Sequence, residues 1–279
     1  MFERLQKTFE GLRIGRIIML ALVASSTTYG FGGSLKEVSL TGLIAAFLSF
    51  GGFYLDHLMD WKKDKAAGNM LNPIARGKIS LGLGLAFVIV GSGTSAVLGF
   101  LMNPLILLPW AGVILLVGGL AIGILDTPIL RAVSLGVLQG LYVLIGGLSV
   151  GNFGWGIILI SLFLFFAMTG GRVMGDVRDL PYDIRVNIMT IPQKYGLRWG
   201  KIFLLINEIA AYIIALSVYW IRALGLGYFY CVLGIIIIGT IINLIFITKP
   251  TPKIAGLTNA LSLGVLGMLY ILGMILGRK

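Results

Sequence analysis

Runs of roughly 20 apolar residues alternate along this chain with short polar breaks. A run of that length spans the hydrocarbon core of a bilayer as one helix. Nine spans are expected, at 14–32, 37–59, 79–101, 104–125, 129–150, 153–175, 199–221, 225–247 and 255–276. The apolar stretches are continuous rather than alternating, which predicts helices and not barrel strands. The breaks carry turn and helix-start residues: Asn103-Pro104, Asp126-Thr127-Pro128 and Gly151-Asn152. The expected fold is all-α, a polytopic membrane protein of nine transmembrane helices, with residues 1–279 as a single domain.

Composition narrows the class. Of 279 residues, 58% are hydrophobic and only 12% charged, and mean hydropathy is +0.99. A soluble domain carries about twice that charged fraction. A water-soluble fold, a disordered chain, a disulfide-stapled secreted domain and a nucleic-acid binder are excluded. The single Cys231 leaves no internal disulfide and no cysteine metal site, and the single His57 leaves no multi-histidine site. The polar N-terminal stretch MFERLQKTFE does not read as a cleavable signal peptide. The first apolar helix is therefore expected to stay as an anchor.

Charge then sets an orientation. With nine spans, the N-terminal side and the loops after spans two, four, six and eight collect 18 of the 22 Lys and Arg residues; Lys36, Arg222, Arg278 and Lys279 are the 4 on the other side. Lys and Arg favour the cytoplasmic side. The N-terminus and the two longest loops, about 60–78 and 176–199, are expected in the cytoplasm, with the protein in the cell (plasma) membrane.

The acids are placed less evenly. Six of the seven aspartates fall in two clusters, Asp56, Asp60, Asp64 and Asp176, Asp179, Asp183. The first set has i, i+4, i+8 spacing, which drifts only about 40° per step and keeps one helix face. The second has i, i+3, i+7 spacing, with Pro181 expected to end or distort its helix. Asp56 and Asp176 are 120 residues apart, suggesting two related four-helix halves plus a final helix. Like charges at i, i+4 destabilise a helix, and carboxylates at a membrane boundary are costly. A hard cation offsets both penalties, and Mg2+ shares carboxylates with substrate phosphates. Bases follow each cluster: Lys62, Lys63, Lys65, Arg76 and Lys78 the first; Arg172, Arg178, Arg185, Lys194, Arg198 and Lys201 the second. Carboxylates for metal and cations for anionic oxygens make up a diphosphate site. Topology alone is the competing account of the bases.

These residues resemble the UbiA superfamily of intramembrane prenyltransferases over nearly the whole chain. The family has nine helices and aspartate-rich motifs after helices two and six. Its first motif, typically NDxxDxxxD, is matched by Asp60 and Asp64, with Asp56 in place of the Asn and His57 in place of the adjacent Asp. Asn72-Pro73-Ile74-Ala75-Arg76-Gly77-Lys78 resembles the Arg-Pro…Gly segment that follows. The second motif, DxxDxxxD with a Thr-Leu-Pro-like segment, is matched by Asp176, Asp179, Asp183 and Thr190-Ile191-Pro192. Arg131 resembles the basic position entering helix five; the tyrosine usual upstream of it is missing.

The resemblance implies helices around a central cavity and a Mg2+-dependent transfer, with Mn2+ as an alternative ion. An isoprenyl diphosphate donor would ionise to an allylic carbocation and release diphosphate, and a lipophilic or aromatic acceptor would attack. Membrane lipid surrounds the site, and no nucleic acid takes part. Under this reading the metal ligands are Asp56, Asp60, Asp64, Asp176, Asp179 and Asp183. Asp56, Asp60, Asp176 and Asp179 come first, while Asp64 and Asp183 act as ligands or orient bases. Lys62, Arg131, Arg178 and Lys194 would contact diphosphate. His57 is a candidate general base or a structural side chain. The acceptor is open between the digeranylgeranylglyceryl phosphate type and a phenol.

Other polar positions have bland accounts beside functional ones. Arg13 and Arg16 face the mouth or snorkel to the interface. Tyr54, Tyr142, Tyr182 and Tyr195 shield a cation or are interfacial aromatics. Gln139 and Asn207 touch substrate or bond between helices. Glu208 is a carboxylate inside span seven with no assigned role. The alternative class is a secondary transporter or cation carrier. It would place ionisable groups at the bilayer midplane, whereas the two aspartate clusters lie at predicted helix ends.

Overall fold

The computed structural model describes residues 14–66, 68, 72–125, 127–185 and 188–279. Arg13, Asp126 and the side chain of Arg185 lie outside what it describes. Nine apolar helices are present among the described residues: α1 Ile14–Gly30, α2 Leu35–Ala66, α3 Leu81–Met102, α4 Pro104–Ala121, α5 Pro128–Leu148, α6 Trp155–Arg185, α7 Leu197–Trp220, α8 Leu226–Thr248 and α9 Pro252–Leu276. Eight are long and apolar enough to cross a membrane, and α1 is a shorter apolar helix. The first turn of α4 is a 3-10 turn, and α9 carries a π-helical turn at Ser262–Leu266.

Side chains at the polar breaks start the helices. Ser34 and Glu37 form a reciprocal cap on α2: the Glu37 carboxylate accepts from Ser34 N at 2.7 Å, and Ser34 Oγ accepts from Glu37 N at 3.3 Å. Ser80 Oγ accepts from Leu83 N, and Thr127 and Thr251 cap α5 and α9 in the same way, each followed by a proline. Asn103 both caps α4 and donates to Leu148 O at 2.8 Å, which ties the α3–α4 corner to the end of α5.

The two longest helices, α2 and α6, hold equivalent places. Each packs against the helix before it and the helix after it, while α1 also touches α5 and α9. Small residues set the close contacts. A Cβ on Gly91 of α3 would lie 2.8 Å from Gly51 N of α2, so neither helix could approach with larger residues there. Of the adjacent Gly170 and Gly171, only one packs. Gly170 faces Asn207 and Leu204 of α7, while Gly171 meets open space. Neighbouring residues lie about 100° apart on a helix, so one contact line needs only one of them.

Apolar side chains such as Ile89, Val97, Ile206, Ile213 and Ile237 are exposed on the outer surface. In water that would be a liability; against lipid it is the expected exterior. Two differences from the sequence expectation matter for function. Helix α2 runs on to Ala66, seven residues past its expected end at 59, and carries all of Asp56, Asp60 and Asp64 in helical register. Helix α6 does not end at Pro181 but continues to Arg185. A proline this close to the end removes one backbone bond, and the packed helix tolerates that loss. The two clusters thus ride on rigid helix ends rather than on loops.

Candidate active site

The first cluster lies along the C-terminal turns of α2. Asp64 is buried, whereas Asp56 and Asp60 are half-buried, and Asp60 feels the charges of both. Asn72, fully buried in the following loop, holds this end. Its Nδ2 donates to Asp64 Oδ2 at 2.7 Å and to His57 O at 2.9 Å, and its Oδ1 accepts from Ile74 N and Ala75 N. One amide therefore fixes both the loop and a carboxylate rotamer. Beneath the acids, His57 is 4% exposed, and its ring meets Tyr54 edge to face at 6.3 Å. Tyr54 in turn packs on Phe50 and Phe87.

The second cluster lies at the end of α6. Asp176 and Asp183 are buried, and Asp179 is half-buried. Arg172 Nε donates to Asp176 Oδ1 at 2.7 Å, one turn away. Arg178 grips Asp179 with both arms of its guanidinium, at 2.7 and 2.6 Å. Asp183 Oδ2 is buried and makes no hydrogen bond.

Two contacts join the clusters. The Tyr182 hydroxyl on α6 donates to Asp64 Oδ1 on α2 at 3.3 Å, across 118 residues of sequence. Arg131, in the first turn of α5, lies within electrostatic reach of Asp60 on one side and of Asp176 and Asp183 on the other. Both clusters therefore stand at one end of the bundle around a common cation. Lys62, Lys63, Lys65, Arg76, Lys78, Lys194 and Arg198 are exposed around that end. Lys62 lies over the Trp61 ring at 5.7 Å, and Lys194 over Tyr195 at 5.5 Å.

Among the described residues, no three Asp, Glu, His or Cys groups converge closely enough to hold an ion by themselves. The donor set nevertheless suits Mg2+: it is all carboxylate oxygen, and Asp183 Oδ2 is buried without a hydrogen-bond donor. Mg2+ is commonly held by one or two carboxylates, with water and substrate phosphate completing its shell.

Sequence reasoning missed three partners. Asn72 was read only as part of a motif, Tyr182 only as a ring face, and Arg172 only as a nearby base. The i, i+4 spacing of Arg172 and Asp176 could have revealed that pair; the other two depend on the tertiary fold. The other tyrosines have structural places: Tyr142 shares a 2.7 Å hydrogen bond with Ser49, and Tyr195 is exposed. Asn207 donates to Phe203 O on its own helix. Arg16 is exposed at the start of α1.

The described residues form a bundle of apolar helices with two acidic helix ends and a basic rim, an arrangement suited to holding an anion through a metal and cations. The chain belongs to the UbiA prenyltransferase family, whose model matches residues 17–273. It is thus an integral membrane prenyltransferase. It is 29% identical over 194 residues to the digeranylgeranylglyceryl phosphate synthase of Methanococcoides burtonii, a match spanning 67% of this chain and 66% of that protein's length. Its fold superposes on the structure of a digeranylgeranylglyceryl phosphate synthase with a TM-score of 0.79 and 19% identity, covering 99% of both chains. It also superposes on a UbiA homologue from Archaeoglobus fulgidus bound to GPP and Mg2+, with a TM-score of 0.75 and 17% identity, covering 95% of this chain and 99% of the other.

Proposed function

We propose that this protein transfers an isoprenyl group from an allylic diphosphate to a lipophilic acceptor, with both aspartate clusters forming one Mg2+-dependent site. The observation that carries this reading is the meeting of the clusters, linked by the Tyr182–Asp64 hydrogen bond with Arg131 between them. The A. fulgidus homologue holds GPP and Mg2+ on the same fold, which supports the donor class and the metal. The digeranylgeranylglyceryl phosphate synthases among its relatives support a glycerol-phosphate lipid as acceptor. The exposed bases around the site, more than the diphosphate contacts need, suit a second anionic headgroup.

Bound Mg2+ would neutralise diphosphate oxygens and favour loss of that group from the allylic carbon. The carboxylates of Asp56, Asp60, Asp176 and Asp179 are the ligands of first choice, with Asp64 and Asp183 beside them. Arg131, Lys62, Arg178 and Lys194 hold the leaving diphosphate as its charge grows. Water is kept from the cationic carbon by the apolar helices beneath the acids. The acceptor hydroxyl oxygen then bonds to that carbon, and its proton passes to the released diphosphate. The burial of His57 against Tyr54 favours anchoring over proton transfer for that side chain. The excess of Lys and Arg on one side supports a site on the cytoplasmic face of the cell membrane, with the N-terminus on the same side.

The test is product formation by purified protein with Mg2+, labelled allylic diphosphates and acceptors including a glycerol-phosphate lipid and a phenol. The expected result is diphosphate release matched by one prenylated glycerol-phosphate product. Unchanged turnover in both Asp60→Ala and Asp176→Ala would sink the site.

A further inference from the structure

Glu208 lies outside the site described above. It is the midpoint of α7, about 16 Å from the helix start at 1.5 Å per residue. A carboxyl group at that depth is expensive in a membrane. Glu208 is nevertheless buried, only 8% exposed, and its carboxyl group faces the Tyr212 hydroxyl, one turn on, and the Asn243 amide of α8. The Tyr212 hydroxyl also faces Thr240 of α8, but is buried without a hydrogen bond of good geometry.

These groups line a cavity of about 190 Å³ between α7 and α8, whose walls are completed by Leu205, Ile209, Leu244 and Ile247. Leu205, Ile209 and Leu244 are exposed on the lipid-facing surface, at 40%, 56% and 55%. The cleft is therefore apolar at its rim and polar at its floor. Helix-to-helix bonding alone would need no open volume beside these groups.

We propose that this cleft is a second, lateral binding site for a lipid-soluble phenol or hydroquinone, entered from the bilayer. The cavity matches one six-membered ring: an apolar cavity of roughly 150 Å³ accepts benzene. A phenolic hydroxyl is an acidic donor that Glu208 can accept, and its oxygen can accept from Asn243 Nδ2 or Tyr212. The lining offers no cation to hold an anionic headgroup. A saturated chain attached to the ring would lie along Leu205 and Leu244 in lipid. The site is independent of the transfer reaction and of its acceptor.

The test uses the full chain in detergent with a photoreactive 4-alkylphenol and, in parallel, its methyl ether and a long-chain alcohol carrying the same photogroup. The expected result is phenol labelling within 205–212 and 240–247, at least about tenfold above the ether, which corresponds to about 1.4 kcal/mol. The alcohol should fall between them, since it keeps the hydroxyl and lacks the ring. Two variants probe the floor. Glu208→Leu removes the acceptor. Gly239→Ala keeps every polar group but fills the space beside the Tyr212 hydroxyl, into which its Cβ would run. Each should lower phenol labelling about tenfold while prenyl transfer stays within twofold. If Glu208→Leu fails to fold, the Gly239→Ala result decides. Equal labelling by phenol and ether, or labelling unchanged in a folded variant, would overturn the proposal.

Discussion

The two aspartate clusters share spacing and position but not charge balance. On α6 the acids have arginines on their own helix: Asp176 with Arg172 and Asp179 with Arg178. On α2 the acids face one another, Asp64 is held by a neutral amide and a phenol, and Lys62, Lys63 and Lys65 are exposed. Two of the three α6 acids are thus gripped by arginines of their own helix, while Asp60 on α2 faces two like charges and feels Lys63 and Arg131 only at longer range. A divalent cation gains most at a carboxylate that no guanidinium grips by hydrogen bonds. The α2 carboxylates should therefore dominate metal affinity, and the α6 arginines should trade part of their grip on Asp for diphosphate when substrate arrives.

This contrast can be broken by measurement. Removing the central acid of the α2 cluster should have the largest effect. Asp60→Ala is expected to lower kcat/KM about a thousandfold, roughly 4 kcal/mol, and to raise the Mg2+ concentration for half-maximal rate. Arg178→Ala should cost only about tenfold, with little change in Mg2+ dependence. Equal losses in a Mg2+ titration of the two variants would erase the distinction.

On the compensated side, stability should suffer first. Arg172→Ala leaves Asp176, whose side chain is 3% exposed, as a buried acid without its ion pair. Unfolding in detergent should show a loss of about 3 kcal/mol, and Arg172→Lys should recover part of it. An unchanged melting curve would mean that the pair contributes little to the fold.

Next comes the neutral anchor of α2. Asn72→Ala removes four hydrogen bonds, three of them buried, at the loop and at Asp64. A destabilisation of about 2 kcal/mol is expected, together with a weaker Mg2+ response, because the Asp64 rotamer is freed. A stability loss with an unmoved Mg2+ titration would leave Asn72 as a loop anchor alone. The smallest effect belongs to the bridge between the clusters. Tyr182→Phe should change kcat/KM by about two- to fivefold, or roughly 0.5–1 kcal/mol, since one long hydrogen bond is lost while the ring stays.

Much of the architecture is legible in local sequence. Helix starts at Ser80, Thr127 and Thr251 follow from capping chemistry within three residues. The shared face of Asp56, Asp60 and Asp64 follows from helical period alone, and so does the Arg172–Asp176 pair. Pro181 misled because local propensity predicts a break, whereas the packed end of α6 carries the helix four residues further. The roles of Asn72 and Tyr182 were hidden for another reason. Their partners Asp64 and His57 lie across a loop or on a distant helix, and no periodicity links residues 64 and 182.

By itself the sequence determined a membrane bundle, nine apolar helices and two acidic faces, because hydropathy and helical period act over neighbouring residues. The tertiary structure alone decided that the two faces meet around Arg131, and that Glu208 opens onto a cleft shared with Asn243. Those outcomes depend on which helices pack together, and packing is set by surfaces that no single stretch of the chain contains.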